Sequence, residues 1–164
     1  MTKDYSVFLR NNRNPNMAPI RKTLVELGLT EVASLGASGN FIFCTPGAEI
    51  ARLERQITDA VGAEAIVRSR QELAVIVANN PYLGQQGANL FLAREPIDKT
   101  RSVFRDAFGP EGVPPVLSGD TVYFVWPTRF SGRKSVINFE RELGVLGTMR
   151  TSRVIVRVLE MMNS

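Results

Sequence analysis

The amino-acid sequence predicts an α+β protein built from two ferredoxin-like βαββαβ halves related by internal duplication, each with a trailing helix. Three observations carry that prediction. The stretch from Arg68 to Val77 has a counterpart from Arg150 to Leu159, about 82 residues later, and in each an Arg and a hydroxyl residue precede an apolar helical stripe. Upstream, Ser6-Val7-Phe8-Leu9-Arg10 answers to Asn89-Leu90-Phe91-Leu92-Ala93-Arg94, and Ser38-Gly39-Asn40-Phe41-Ile42-Phe43 answers to Ser118-Gly119-Asp120-Thr121-Val122-Tyr123-Phe124. Strand-like and helical runs also alternate in the same order in both halves.

In the first half, β-branched and aromatic runs mark strands at about 5–10, 32–36, 40–45 and 64–68. Helical spacing of Ile20, Leu24 and Leu27 predicts a helix from Met17, stopped by Gly28. Ile50, Leu53, Ile57 and Val61 predict a second, from Ala48 to Val61, followed by Gly62. A short third helix runs from Gln71 to Asn79 and ends before Pro81.

The second half repeats the order: a strand at 88–93, a helix from Ile97 to Phe108, a hairpin of strands 115–118 and 121–126, a helix from Lys134 to Leu143, a strand near 147–150 and a helix from Ser152 to Met162. The boundaries that follow are 1–80 for the first half, 81–87 for the connector and 88–164 for the second half. Val7-Phe8-Leu9, Phe41-Ile42-Phe43, Leu90-Phe91-Leu92 and Val122-Tyr123-Phe124-Val125-Trp126 are apolar at successive positions. Such strands are buried on both faces. Either the halves pack together or a second chain covers the open face, so a homodimer is one expectation.

Composition narrows the chemistry. At 164 residues the chain is long enough to bury about 70% of its unfolded surface without a disulfide or metal. The sequence contains no histidine, which removes the commonest general base and metal ligand and every Ser-His or Cys-His nucleophile. The single cysteine, Cys44, lies in the apolar run Phe41-Ile42-Phe43-Cys44 and reads as a small core residue rather than a reactive thiol. No cofactor and no metal are therefore expected. A reducing cytoplasm is the expected compartment, with no membrane association: no apolar run reaches the ~20 residues that span a bilayer, and no secretory leader is evident. The net charge of +4, with sixteen of twenty basic residues Arg, permits an anionic partner.

Two groups of residues are candidate sites. The first is the basic stretch Arg129, Gly132, Arg133 and Lys134 ahead of a predicted helix, where free N–H groups and the helix dipole favour an anion. In the ferredoxin-like order it lies near Arg150 and Thr151, so several donors would converge on a phosphate or carboxylate. The second is a polar edge formed by the loop Asn11–Asn16 and the hairpin 36–40, contributing Arg10, Asn12, Arg13, Ser38 and Asn40. Asn tolerates left-handed backbone and bonds its own chain, so this loop also reads as a run of turns. Phe8, Phe41 and Phe43 occupy strand positions where RNA-binding modules stack bases, and where aromatics more often form core. The carboxylates show no acid–base pair.

The run Val7-Phe8-Leu9-Arg10, Met17-Ala18-Pro19-Ile20-Arg21, Leu24-Val25-Glu26-Leu27-Gly28 and Ser38-Gly39-Asn40 resembles the family called domain of unknown function 1697. Arg68 to Tyr82, Gly132-Arg133-Lys134-Ser135 and Gly144 to Leu159 are similar to its later blocks. The resemblance implies a soluble, mainly bacterial protein with no established activity, so it supplies no catalytic residue. Two blocks depart from the family pattern: Asn11–Asn16 stands where a glycine-rich loop is usual, and Thr151-Ser152-Arg153 where an Asn-Trp-Asn stretch is usual. The functional expectation is a non-enzymatic binding module for an anionic small molecule or nucleic acid. The alternatives are a small-molecule enzyme with a site between the halves, or a homodimeric interaction protein.

Overall fold

Strand β1 (Tyr5–Leu9) organises the first sheet. It pairs antiparallel with β3 (Asn40–Cys44) on one side and β4 (Ala65–Ser69) on the other, and β2 (Thr30–Leu35) pairs with β3, giving the order β2-β3-β1-β4. The structure, a computed structural model, describes residues 4–47, 49–98, 113–126 and 138–164. In the first sheet β1 and β2 run in one direction and β3 and β4 in the other, with α1 (Met17–Glu26) linking the first pair and α2 (Ile50–Val61) the second. This is the order and polarity that a βαββαβ chain predicts.

Local chemistry sets the helix ends. The Asn16 side chain accepts a hydrogen bond from Ala18 N at 3.2 Å and caps α1. Gly62, at φ +79°, ends α2 in the left-handed conformation that a residue with a Cβ adopts only at a cost. Met17, Ile20 and Leu24 of α1 pack with Leu53 and Ile57 of α2 on Val7, Leu9, Phe41, Phe43, Ala65 and Val67.

The second sheet repeats the arrangement. Strand β5 (Ala88–Ala93) pairs antiparallel with β7 (Thr121–Val125) and β8 (Gly147–Thr151), and β6 (Val116–Ser118) pairs with β7, giving β6-β7-β5-β8. The short helix α4 (Phe139–Leu143) precedes β8, and Phe139 stacks on Phe91 with ring centroids 5.3 Å apart. Most of the helix expected over Ile97–Phe108, and the start of the one expected from Lys134, lie outside the described residues. Trailing helices α3 (Arg70–Ala78) and α5 (Ser152–Met162) follow β4 and β8 directly. The chain forms two compact units: Met1–Val75 together with Ile155–Ser164, and Ile76–Val154.

The two hairpins differ by one residue from the correspondence expected from Ser38-Gly39-Asn40 and Ser118-Gly119-Asp120. Phe8 faces Asn40 across the first sheet, whereas Leu92 faces Thr121 across the second. Likewise Leu9 N donates to Gly39 O and Ala93 N to Asp120 O. Asn40 therefore corresponds to Thr121, because the first hairpin turns over residues 36–39 and the second over 119–120 alone. A two-residue turn brings the next strand into register sooner than a four-residue one.

Both faces of each sheet are buried within one chain. On the face of the first sheet away from α1 and α2, Ser6, Phe8, Asn40, Ile42, Ile66 and Arg68 are each at most 4% exposed. In the second sheet Leu90, Leu92, Thr121 and Tyr123 are buried as completely. This is what strands apolar at every position predict.

Candidate functional site

Arg150 is the one basic residue of the first candidate site that falls within the described residues. It sits on β8 opposite Leu90, and its Nη1 donates to Thr148 Oγ1 at 2.7 Å and to Met149 O at 2.8 Å. Burial lowers its pKa to about 10, because a desolvated guanidinium loses hydration that favours the charged form. Thr151 follows at the strand's end, exposed, and its Oγ1 accepts from Val154 N at 3.2 Å, capping α5. Ser152 is buried, and its Oγ accepts from Asn80 Nδ2 at 3.0 Å. Asn80 Oδ1 in turn accepts from Tyr82 N at 2.9 Å, so the connector is tied to the start of α5. Arg129, Gly132, Arg133 and Lys134 lie outside the described residues.

In the second candidate edge the loop and the hairpin lie side by side. A Cβ placed on Gly39 would lie 3.3 Å from the Asn12 Cβ, so loop and hairpin touch. The side chains of Asn12, Asn14 and Asn16, however, are engaged with the local backbone. Asn12 Oδ1 accepts from Asn14 N (3.3 Å), Asn14 Oδ1 from Asn16 N (3.0 Å), and Asn16 Oδ1 from Ala18 N (3.2 Å), a relay of turns running into α1. Asn12 Nδ2 donates to Asn14 O, and Asn11 takes a left-handed φ of 52°. Asn40 is 3% exposed and its Nδ2 closes the hairpin on Leu35 O at 3.1 Å. Arg10 uses its backbone N–H on Glu64 O, while Arg13 and Ser38 are exposed on the surface of the same edge. The turn reading explains the loop's composition.

The three aromatics considered for base stacking are core residues. Phe8, Phe41 and Phe43 are at most 1% exposed. Phe41 pairs with Val7 and Phe43 with Tyr5, so they share a face that Phe8, one residue out of phase, does not. Stacking needs an exposed ring face, and none of the three offers one.

The most buried carboxylate among the described residues, Glu54 on α2, is 6% exposed and its Oε2 accepts from Val67 N at 2.9 Å. Glu72 and Ser69 form a reciprocal capping box on α3: Ser69 N donates to Glu72 Oε2 (2.8 Å) and Glu72 N to Ser69 Oγ (3.1 Å). Among the described residues no three His, Cys, Asp or Glu side chains gather as metal ligands, and no helix is long and apolar enough to cross a membrane. Arg68 was visible in the repeat as the partner of Arg150, yet its own placement was not foreseen. It is 4% exposed, and its Nη1 donates to Val67 O at 2.9 Å.

A family model described as protein of unknown function (DUF1697) matches residues 4–110. The chain belongs to this family. The DUF1697 match covers the first unit's strands and runs past β5; Gly132-Arg133-Lys134-Ser135 and the stretch from Gly144 to Leu159 lie beyond the matched residues. Among solved structures, the conserved bacterial protein SP0830 from Streptococcus pneumoniae is similar over 100% of both chains, with a TM-score of 0.68 and 16% identity. At that identity the likeness shows a shared fold. No curated protein matches the chain.

Proposed function

We propose that this DUF1697 member is a non-enzymatic binding module for an anionic, phosphate-containing ligand, taken up by Arg150 and Thr151 together with Arg129, Gly132, Arg133 and Lys134. The observation that carries this reading is the state of Arg150. Its guanidinium donates to Thr148 Oγ1 and Met149 O, and burial has pulled its pKa down to about 10. An anion brought to such a group is favoured because it restores the stabilisation of charge that desolvation removed. The guanidinium fork matches phosphate oxygens in geometry. The surplus of positive charge over the whole chain, +4, works in the same direction at longer range.

The test is a binding screen of the full chain against nucleotides, inorganic phosphate, short RNA and DNA, and small carboxylates at two salt concentrations. A nucleic acid held through its phosphates loses affinity by about 0.7–0.9 log units per contact per log unit of salt, whereas a small phosphate ligand shows a shallower dependence. The absence of binding by every anion, at both salt concentrations, contradicts the proposal.

A further inference from the structure

β4 is the outer strand of the first sheet, and strands in that position ordinarily present unpaired N–H and C=O groups on which another chain can pair. The pairing with β1 fixes which groups point outward. Arg10 N donates to Glu64 O and Arg70 N to Asp4 O, so the even-numbered residues of this stretch face β1. Ala65, Val67 and Ser69 face away from it.

Each of those three outward N–H groups meets a side-chain acceptor from an adjacent helix. Ala65 N donates to Thr58 Oγ1 at 3.0 Å, Val67 N to Glu54 Oε2 at 2.9 Å, and Ser69 N to Glu72 Oε2 at 2.8 Å. The outward carbonyl of Val67 is met as well, by Arg68 Nη1 at 2.9 Å. The spacing is a match of two periods. Glu54 and Thr58 are one helical turn apart on α2, about 6 Å along the axis, and Ala65 and Val67 are two residues apart on the strand, about 6.7 Å.

We propose that Glu54 and Thr58, with Glu72 and Arg68, form an edge seal that prevents β4 from pairing with β4 of a second copy of this chain. Two antiparallel copies of the same edge would exchange hydrogen bonds through the N–H and C=O groups that these side chains occupy. The seal costs the fold little, since α2 is already packed against the strand and Glu72 lies in the first turn of the helix that follows it.

Amide exchange in the unmodified protein tests the seal directly. The outward amides of Ala65 and Val67 are expected to exchange within about tenfold of their inward neighbours Ile66 and Arg68. Exchange at the rate of an open strand edge overturns the proposal. The companion variant, Glu54→Met with Thr58→Val, removes two acceptors while keeping volume. If it folds, it is expected to show a mass by light scattering that rises with concentration above the parent's, while Glu54→Gln, which retains an acceptor, behaves as the parent. A folded Met/Val variant with the parent's mass at every concentration overturns the proposal; if that variant does not fold, the exchange rates of the parent decide.

Discussion

Arg68 and Arg150 occupy the same place in the two sheets. Arg68 lies opposite Ser6 on β4 and Arg150 opposite Leu90 on β8, and each turns its Nη1 back onto the carbonyl of the preceding residue, Val67 O at 2.9 Å and Met149 O at 2.8 Å. A hydroxyl residue follows each one and caps the trailing helix, Ser69 for α3 and Thr151 for α5. The repeat seen in the sequence is therefore a repeat of one structural device: a guanidinium that satisfies an outward carbonyl where a strand gives way to a helix.

Removing the guanidinium leaves that carbonyl bare. Arg68→Ala is expected to destabilise the protein by about 2–3 kcal/mol, because an unsatisfied buried polar group costs about 1–3 kcal/mol and packing is lost with it. Arg150→Ala, at a less completely buried position, is expected to cost about 1–2 kcal/mol. Urea denaturation of both variants beside the parent measures the difference; equal, negligible losses would remove the structural role assigned to the pair.

Gly147 is required for space. A Cβ there would lie 2.4 Å from Phe91 Cζ and 2.5 Å from Leu92 O, and Phe91 is held by its stack on Phe139. Gly147→Ala is expected to lower stability by about 2–3 kcal/mol, in the range of overpacked cores. Gly36→Ala meets no atom within 4 Å and, with its φ of +65°, is expected to cost only about 1 kcal/mol. Thermal melts of the two variants side by side test the ranking.

Tyr123 gives the protein an alkaline limit. Its hydroxyl donates to Ile76 O at 2.7 Å, and burial, with a smaller effect from the Asp120 charge, pushes its pKa up to about 12. A folded-state value above the unfolded value of about 10 means that the stabilising neutral phenol is fully effective below pH ~10 and is lost as pH rises through ~12. The parent is expected to lose stability over that interval more steeply than Tyr123→Phe, which lacks the titrating group. Denaturation series across the interval would show parallel curves if the phenol ionised normally.

The relay of turns before α1 predicts a modest, local effect. Asn16→Ala removes the cap on Ala18 N and is expected to cost about 1 kcal/mol. Circular dichroism melts measure it, and a loss several times larger would mean that the loop is tied to more than the helix.

The fold was legible wherever burial leaves a period in the sequence. Strand β5 at 88–93 and helix α5 at Ser152–Met162 have the bounds that their apolar spacing indicates. The runs Val7-Phe8-Leu9 and Phe41-Ile42-Phe43 announced two buried faces correctly. The hairpin offset was not legible, because Ser-Gly-Asn and Ser-Gly-Asp look alike while their turns differ by two residues in length. The partnership of Glu54 and Thr58 with β4 was hidden for another reason. On a helix, a Glu and a Thr four positions apart look the same whether they face water or cap the edge of a sheet. An Asn-rich loop likewise carries the same letters whether its amides face a ligand or its own backbone, and for Asn12, Asn14 and Asn16 the backbone takes them.

The central claim, that the basic stretch and Arg150 bind an anion, is tested most directly by thermal shift of the parent and of Arg133→Ala/Lys134→Ala against phosphate, nucleotides and short RNA or DNA. Ligand at 100 times its dissociation constant adds about 2.7 kcal/mol, which for a chain of this size is about 5–10 °C. The account predicts a shift of that size for at least one phosphate-containing ligand in the parent, and its loss in the double variant. No shift with any of these anions, or an equal shift in both proteins, contradicts it.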